Sequence, residues 1–127
     1  LDHIPQGALV SGAVIAEIGD WATGPHGHVP SYATVRRDAW VNSHFAVAGV
    51  HAMRLRAGAP NFADPSQRIL HVPGEPVDLA AFEPARQAEY LWYIGRETPS
   101  RLPDGAEVIY RTPGSFLARL AKSPRPR

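Results

Sequence analysis

The sequence predicts a mainly β domain, a small barrel or sandwich with one packed helix near residues 84–94. Three observations carry this expectation. The chain holds 13 prolines and 11 glycines in 127 residues, a combination that interrupts long helices and favours short segments joined by turns. Several of those segments are apolar and β-branched, or alternate with the period of two that half-buried strands show. Finally, a Pro-x-Gly turn leads directly into such a segment near each end of the chain, at Pro5-Gln6-Gly7 and at Pro103-Asp104-Gly105.

The elements follow in order. After Pro5-Gln6-Gly7, the run from Ala8 to Ile18 reads as a strand, and its small residues Ala8, Gly12, Ala13 and Ala16 suit one crowded by neighbours. Trp21 to Ser31 contains two prolines and two glycines without regular period, and reads as a loop. Tyr32 to Trp40 has extended character, and Asn42-Ser43 supplies turn chemistry for a hairpin with Phe45-Ala46-Val47. Val50 to Arg56 alternates His51, Met53 and Leu55 with Ala52, Arg54 and Arg56, as a strand with a basic face would. A second loop, Gly58 to Ser66, precedes a short strand at Arg68-Ile69-Leu70-His71-Val72, which Pro73-Gly74 stops.

Between Asp78 and Gly95 the composition turns to alanine, leucine, glutamate and aromatics. Pro84 fits the first turn of a helix there, and Ala85, Ala88, Leu91 and Trp92 would share its buried face. Ala106 to Thr112 and Ser115 to Leu120 read as two closing strands. Residues 1–121 thus form a single domain, and residues 122–127 a basic, proline-containing tail.

The bulk numbers exclude some classes. At 44% hydrophobic and 20% charged residues the chain has ordinary globular usage, which argues against disorder. A net charge of +1 gives a weak positive field, unlike the concentrated basicity of most nucleic-acid binders. With no cysteine, disulfides and thiolate metal sites are ruled out. No run reaches the roughly 18 apolar residues of a membrane helix, so no transmembrane segment is expected.

Ile4-Pro5-Gln6-Gly7-Ala8-Leu9-Val10 and Leu102-Pro103-Asp104-Gly105-Ala106-Glu107-Val108 match at the apolar residue, Pro, Gly, Ala and Val. Proline sets φ before the turn and glycine accepts a positive φ, so both read as strand starts, a device that recurs at hairpins and barrel corners. The pattern resembles bacterial cell-envelope β domains, where apolar-Pro-x-Gly-Ala/Thr-x-Val segments begin strands, and is similar in style to the carboxy-terminal β-barrel of conjugation-system proteins of the TrbI type. The resemblance covers the first sixteen and last twenty residues or so. It implies an envelope-associated scaffold or assembly module, periplasmic or in the cell envelope, with no catalytic residues to carry over and a protein partner or self-association as its business.

Three function classes follow from the residues themselves. The first is a noncatalytic interaction or assembly module that takes a partner strand on a sheet edge, because no complete catalytic set is present: there is no Gly-x-Ser-x-Gly elbow, no phosphate loop and no cofactor motif. A second class is a metalloprotein or metal-dependent enzyme, in which His26 and His28 would converge with His44 or His51, neutral imidazoles being good donors to zinc and similar ions. Solvated loop histidines are the plainer account of the same residues. The third is carbohydrate or nucleic-acid binding, with Arg36, Arg37, Arg54 and Arg56 on two neighbouring strands beside Trp40 and Tyr32. There the plainer account is a solvated charged face over buried aromatics.

Overall fold

Pro5 and Pro103 each open a four-residue turn of the same geometry. The Ala8 N–H donates to the Pro5 carbonyl at 3.4 Å and the Ala106 N–H to the Pro103 carbonyl at 3.0 Å. Gly7 and Gly105 sit at φ 73° and 71°, a region closed to most side chains, so the repeated glycine is a backbone requirement. Each turn delivers the chain straight into a strand: β1, Leu9–Glu17, after the first and β5, Glu107–Thr112, after the second.

The computed structural model describes residues 1–17, 28–42, 69–71 and 74–121. Besides β1 and β5 these include helix α1 (Ser31–Arg37) and strands β2 (Trp40–Val41), β3 (Ile69–His71), β4 (Tyr90–Ile94) and β6 (Ser115–Arg119). The sheet runs β2-β1-β4-β6-β5, and β3 pairs separately with β1. Around β1 every pairing is parallel: Val10 lies level with Val41 of β2 and Tyr90 of β4, and Ile15 with Ile69 of β3. The β4–β6 and β6–β5 pairings are antiparallel. This is a small β-rich domain that, among the described residues, has one α-helix and a mixed sheet that is open rather than closed into a barrel.

Side chains of successive strand residues point to opposite faces, and here both faces are covered. On one, Ala13, Leu91, Tyr93, Phe116 and Ala118 pack with Val77, Leu79, Phe82, Ala85 and Ala88 of the segment before β4. On the other, Val10, Val41 and Leu117 pack with Ile4 and Ala8 of the opening turn and with Ala33 and Ala39 at α1. Burying side chains such as Leu79 and Leu91 completely contributes roughly 1.5–3 kcal/mol each.

Two sequence expectations are corrected. Residues 84–94 do not form a helix. Pro84 does begin a helical segment, a 3₁₀ turn over Glu83–Gln87, but Ala88 leaves it in an extended conformation (φ −95°, ψ 162°) and Tyr90–Ile94 is a strand hydrogen-bonded on both sides. Leu91 and Trp92, assigned to one helix face, point to opposite sides of the sheet. Aromatic and β-branched residues suit a pleated, two-sided environment, and β4 has neighbours on both edges to reward that preference. Conversely, Tyr32 to Trp40 is not an extended run: the domain's helix lies there, at Ser31–Arg37. The strand expected at 50–56, the loop at 58–66 and the tail 122–127 fall outside the described residues.

Candidate functional site

The helix α1 is short, and its position is set at both ends. Pro30 occupies the N-cap with φ −59°, already helical, and so starts the turn without a side-chain cap. It rests on Gly12 of β1. A methyl group at position 12 would come within 2.7 Å of the Pro30 ring, so the strand carries glycine where the helix lands. At the other end Asp38 adopts the left-handed conformation (φ 51°, ψ 27°), and its N–H turns back to the carbonyls of Ala33 and Thr34. Arg36 and Arg37 occupy the last turn, where a helix dipole favours cations.

Backbone contacts then lock this end to the opening turn. The Gly7 N–H donates to the Arg37 carbonyl at 2.8 Å and the Trp40 N–H to the Ala8 carbonyl at 2.9 Å. The Arg37 side chain reaches back as well, donating from Nε to the Leu1 carbonyl at 3.0 Å and from its terminal nitrogen to the Asp2 carboxylate at 2.6 Å. Just after β2, the Asn42 side-chain amide bonds to both backbone groups of Gly12. These ties leave the helix one way to face. Ala33 is buried against the sheet, whereas Tyr32 is 59% exposed and Val35 80% exposed.

Tyr32, Val35 and Arg36 stand at i, i+3 and i+4, and therefore share one outward stripe of the helix. Arg36 is exposed, and among the described residues no carboxylate forms an ion pair with it. Among the described residues Tyr32 and Val35 are two of four exposed large hydrophobic residues; the others are Leu1 and Tyr110, and Tyr110 is stacked on His3 with ring centroids 4.6 Å apart. The stripe is thus an apolar surface with one cation at its end.

The predicted site residues are placed as follows. Arg36 and Arg37 lie on a helix, not on a strand, because the Pro30 start and the docking of Ala33 override the extended preference of Tyr32, Thr34 and Val35. Arg37 is turned to Asp2 and Leu1, so the two arginines do not form one patch. Trp40 is half-buried in β2. Arg54 and Arg56 lie outside the described residues. Of the four histidines weighed as metal ligands, His28 is exposed at the turn before α1, and His26, His44 and His51 lie outside the described residues. Among the described residues no three histidine, aspartate or glutamate side chains are grouped to hold a metal ion. Nor is any described helix long and apolar enough to cross a membrane.

The outward position of Val35 was missed in the sequence, although a signal for it exists. Pro30-Ser31 followed by Arg36-Arg37 has the proline-first, cation-last arrangement of a helix, and once that is read the 32, 35, 36 spacing defines a face.

The other end of the sheet is less suited to a partner. Strand β5 is the last on the path, and the ladder shifts register between Val108 and Tyr110, a β-bulge that breaks the regular spacing of groups along that edge. Glu107, at its start, is held by Arg119 of β6. A bulge and charged residues are the devices by which edges resist added strands. In comparisons with protein-family models, curated proteins and solved structures, the chain finds no match.

Proposed function

We propose that this domain is a noncatalytic assembly module that associates with its own copies through the outward face of α1. One observation carries the reading: Tyr32 and Val35 are 59% and 80% exposed on a helix whose opposite side is pinned to the sheet. An exposed valine and tyrosine that adjoin on one face, with a cation beside them, form the nucleus of a contact surface, whereas scattered apolar residues do not. The covered faces of the sheet and the bulged β5 edge support a contact at α1 over strand addition at β5. The setting we propose is the bacterial cell envelope, on the likeness of the Pro5 and Pro103 turns to the strand starts of envelope β domains.

Sedimentation velocity over a dilution series tests the reading. An average mass that climbs above 13.8 kDa with concentration supports it. A mass that stays at the monomer value up to about 1 mM, where even a weak contact is populated, overturns it.

A further inference from the structure

We infer that Asp104 is a modification site at which the aspartyl-glycyl linkage rearranges to isoaspartate, and that the closed turn before β5 withholds the reaction until it opens. Of the aspartates and asparagines in the chain, Asp104 alone precedes a glycine. It is exposed, and among the described residues its carboxylate forms no ion pair. In the rearrangement the Gly105 nitrogen attacks Cγ of the protonated Asp104 carboxyl group. A C–N bond forms, the carboxyl hydroxyl leaves as water with the proton of the Gly105 nitrogen, and a five-membered succinimide ring results. Water then opens the ring at either carbonyl and returns aspartate or gives isoaspartate of the same mass. Glycine favours the closure because no side chain at position 105 crowds the ring.

The backbone decides when this can happen. Among the described residues Asp38 is the non-glycine residue with a positive φ, so φ at Asp104 is negative. With Gly105 at φ 71° and the Ala106 N–H on the Pro103 carbonyl at 3.0 Å, residues 103–106 form a type II turn. In such a turn ψ at the second residue is about 120°, which aims the Gly105 nitrogen away from the Asp104 side chain. Ring closure needs that nitrogen eclipsed with Cβ, a rotation of roughly 120° that breaks the turn hydrogen bond. Opening also disturbs Leu102 and Ala106, which pack against the core on either side of the turn, and the Glu107–Arg119 tie at the start of β5. Isoaspartate carries the main chain through its side-chain carbons and lengthens the turn by one atom. Ala106 then no longer returns to Pro103 in the same geometry, and the product is a lasting record that the entrance to β5 has opened. The matching turn at Gln6-Gly7 lacks this chemistry, because a glutamine would have to close a six-membered ring, which is far slower.

Incubation of the full chain at neutral pH, folded and unfolded in guanidinium chloride, tests the inference. Trypsin cuts after Arg101 and Arg111, so the peptide Leu102–Arg111 carries the site, and its isoaspartyl form is separated by chromatography and labelled by an isoaspartyl methyltransferase. In the unfolded chain isoaspartate is expected at Asp104 ahead of every other aspartate, and in the folded chain at least about tenfold more slowly. Arg119→Ala, which removes the tie at the start of β5, is expected to convert faster than the wild type while circular dichroism shows it folded. Asp104→Glu is expected to give no product in either state. Equal rates in the folded and unfolded chain would overturn the gating by the turn, as would an Arg119→Ala variant that is folded and no faster than the wild type. Isoaspartate appearing first at another aspartate, or none at Asp104 in the unfolded chain, would overturn the site itself.

Discussion

The side-chain amide of Asn42 occupies both backbone hydrogen-bonding groups of Gly12, its Oδ1 accepting from the Gly12 N–H at 2.6 Å and its Nδ2 donating to the Gly12 carbonyl at 3.1 Å. Among the described residues β2 pairs with β1 at Trp40 and Val41, and Asn42, the residue after β2, carries its side-chain amide to the Gly12 peptide groups. Asn42 is fully buried, so no solvent replaces it. Removing it with Asn42→Ala leaves a buried donor and a buried acceptor unpaired and is expected to cost about 2–5 kcal/mol in urea denaturation. Asn42→Asp keeps the acceptor but loses the donor and buries a charge. Its stability should therefore rise as pH falls and the carboxyl protonates, while Asn42→Ala shows no such response.

Ser11, the neighbour of Gly12, makes the opposite case. It is fully buried, and its hydroxyl has no hydrogen-bond partner among the described residues. An unpaired buried hydroxyl is a cost, so Ser11→Ala is expected to leave stability unchanged or raise it by about 1 kcal/mol. A loss of more than about 1 kcal/mol in the same assay would mean that the hydroxyl is satisfied in solution.

The two Pro-x-Gly turns give a matched pair of substitutions. Gly7 and Gly105 share a positive φ, but a methyl group at Gly7 meets nothing within 4 Å, whereas at Gly105 it would lie 2.9 Å from the Ala121 Cβ. Gly7→Ala should cost about 1–2 kcal/mol, the backbone term alone. Gly105→Ala should cost more by the price of moving Ala121, read as a further drop in the denaturation midpoint.

Tyr93 links stability to alkaline pH. Its ring packs in the core against Phe116, and its hydroxyl donates to the Glu97 carbonyl at 2.7 Å. Burial first, and the Glu97 carboxylate second, push its pKa from 10.0 up to about 12. The folded state thus favours the protonated phenol. That contribution is complete below pH 10 and is lost as pH rises from 10 towards 12. Melting temperatures measured across this window should fall more steeply for the wild type than for Tyr93→Phe, which has no proton to lose. Parallel slopes would show that other groups set the alkaline limit.

The sequence by itself determines the local devices of this protein. Pro5-Gln6-Gly7 and Pro103-Asp104-Gly105 encode their turns because φ preferences act within a few residues, and the segments now seen as β1, β3, β5 and β6 are legible because each is bounded by such punctuation. The tertiary structure decides which of two locally acceptable states the ambiguous segments take. Residues 90–94 carry a possible helical face and a strand composition at once, and the pairing of β4 with both β1 and β6 selects the strand. Residues 31–37 carry β-favouring side chains, yet the seat of Pro30 on Gly12 and the burial of Ala33 select a helix. The outward stripe of Tyr32, Val35 and Arg36 depends on that second choice. Whether a valine is core or contact surface is settled by which side of the element the rest of the chain covers, and that is a property of long-range packing.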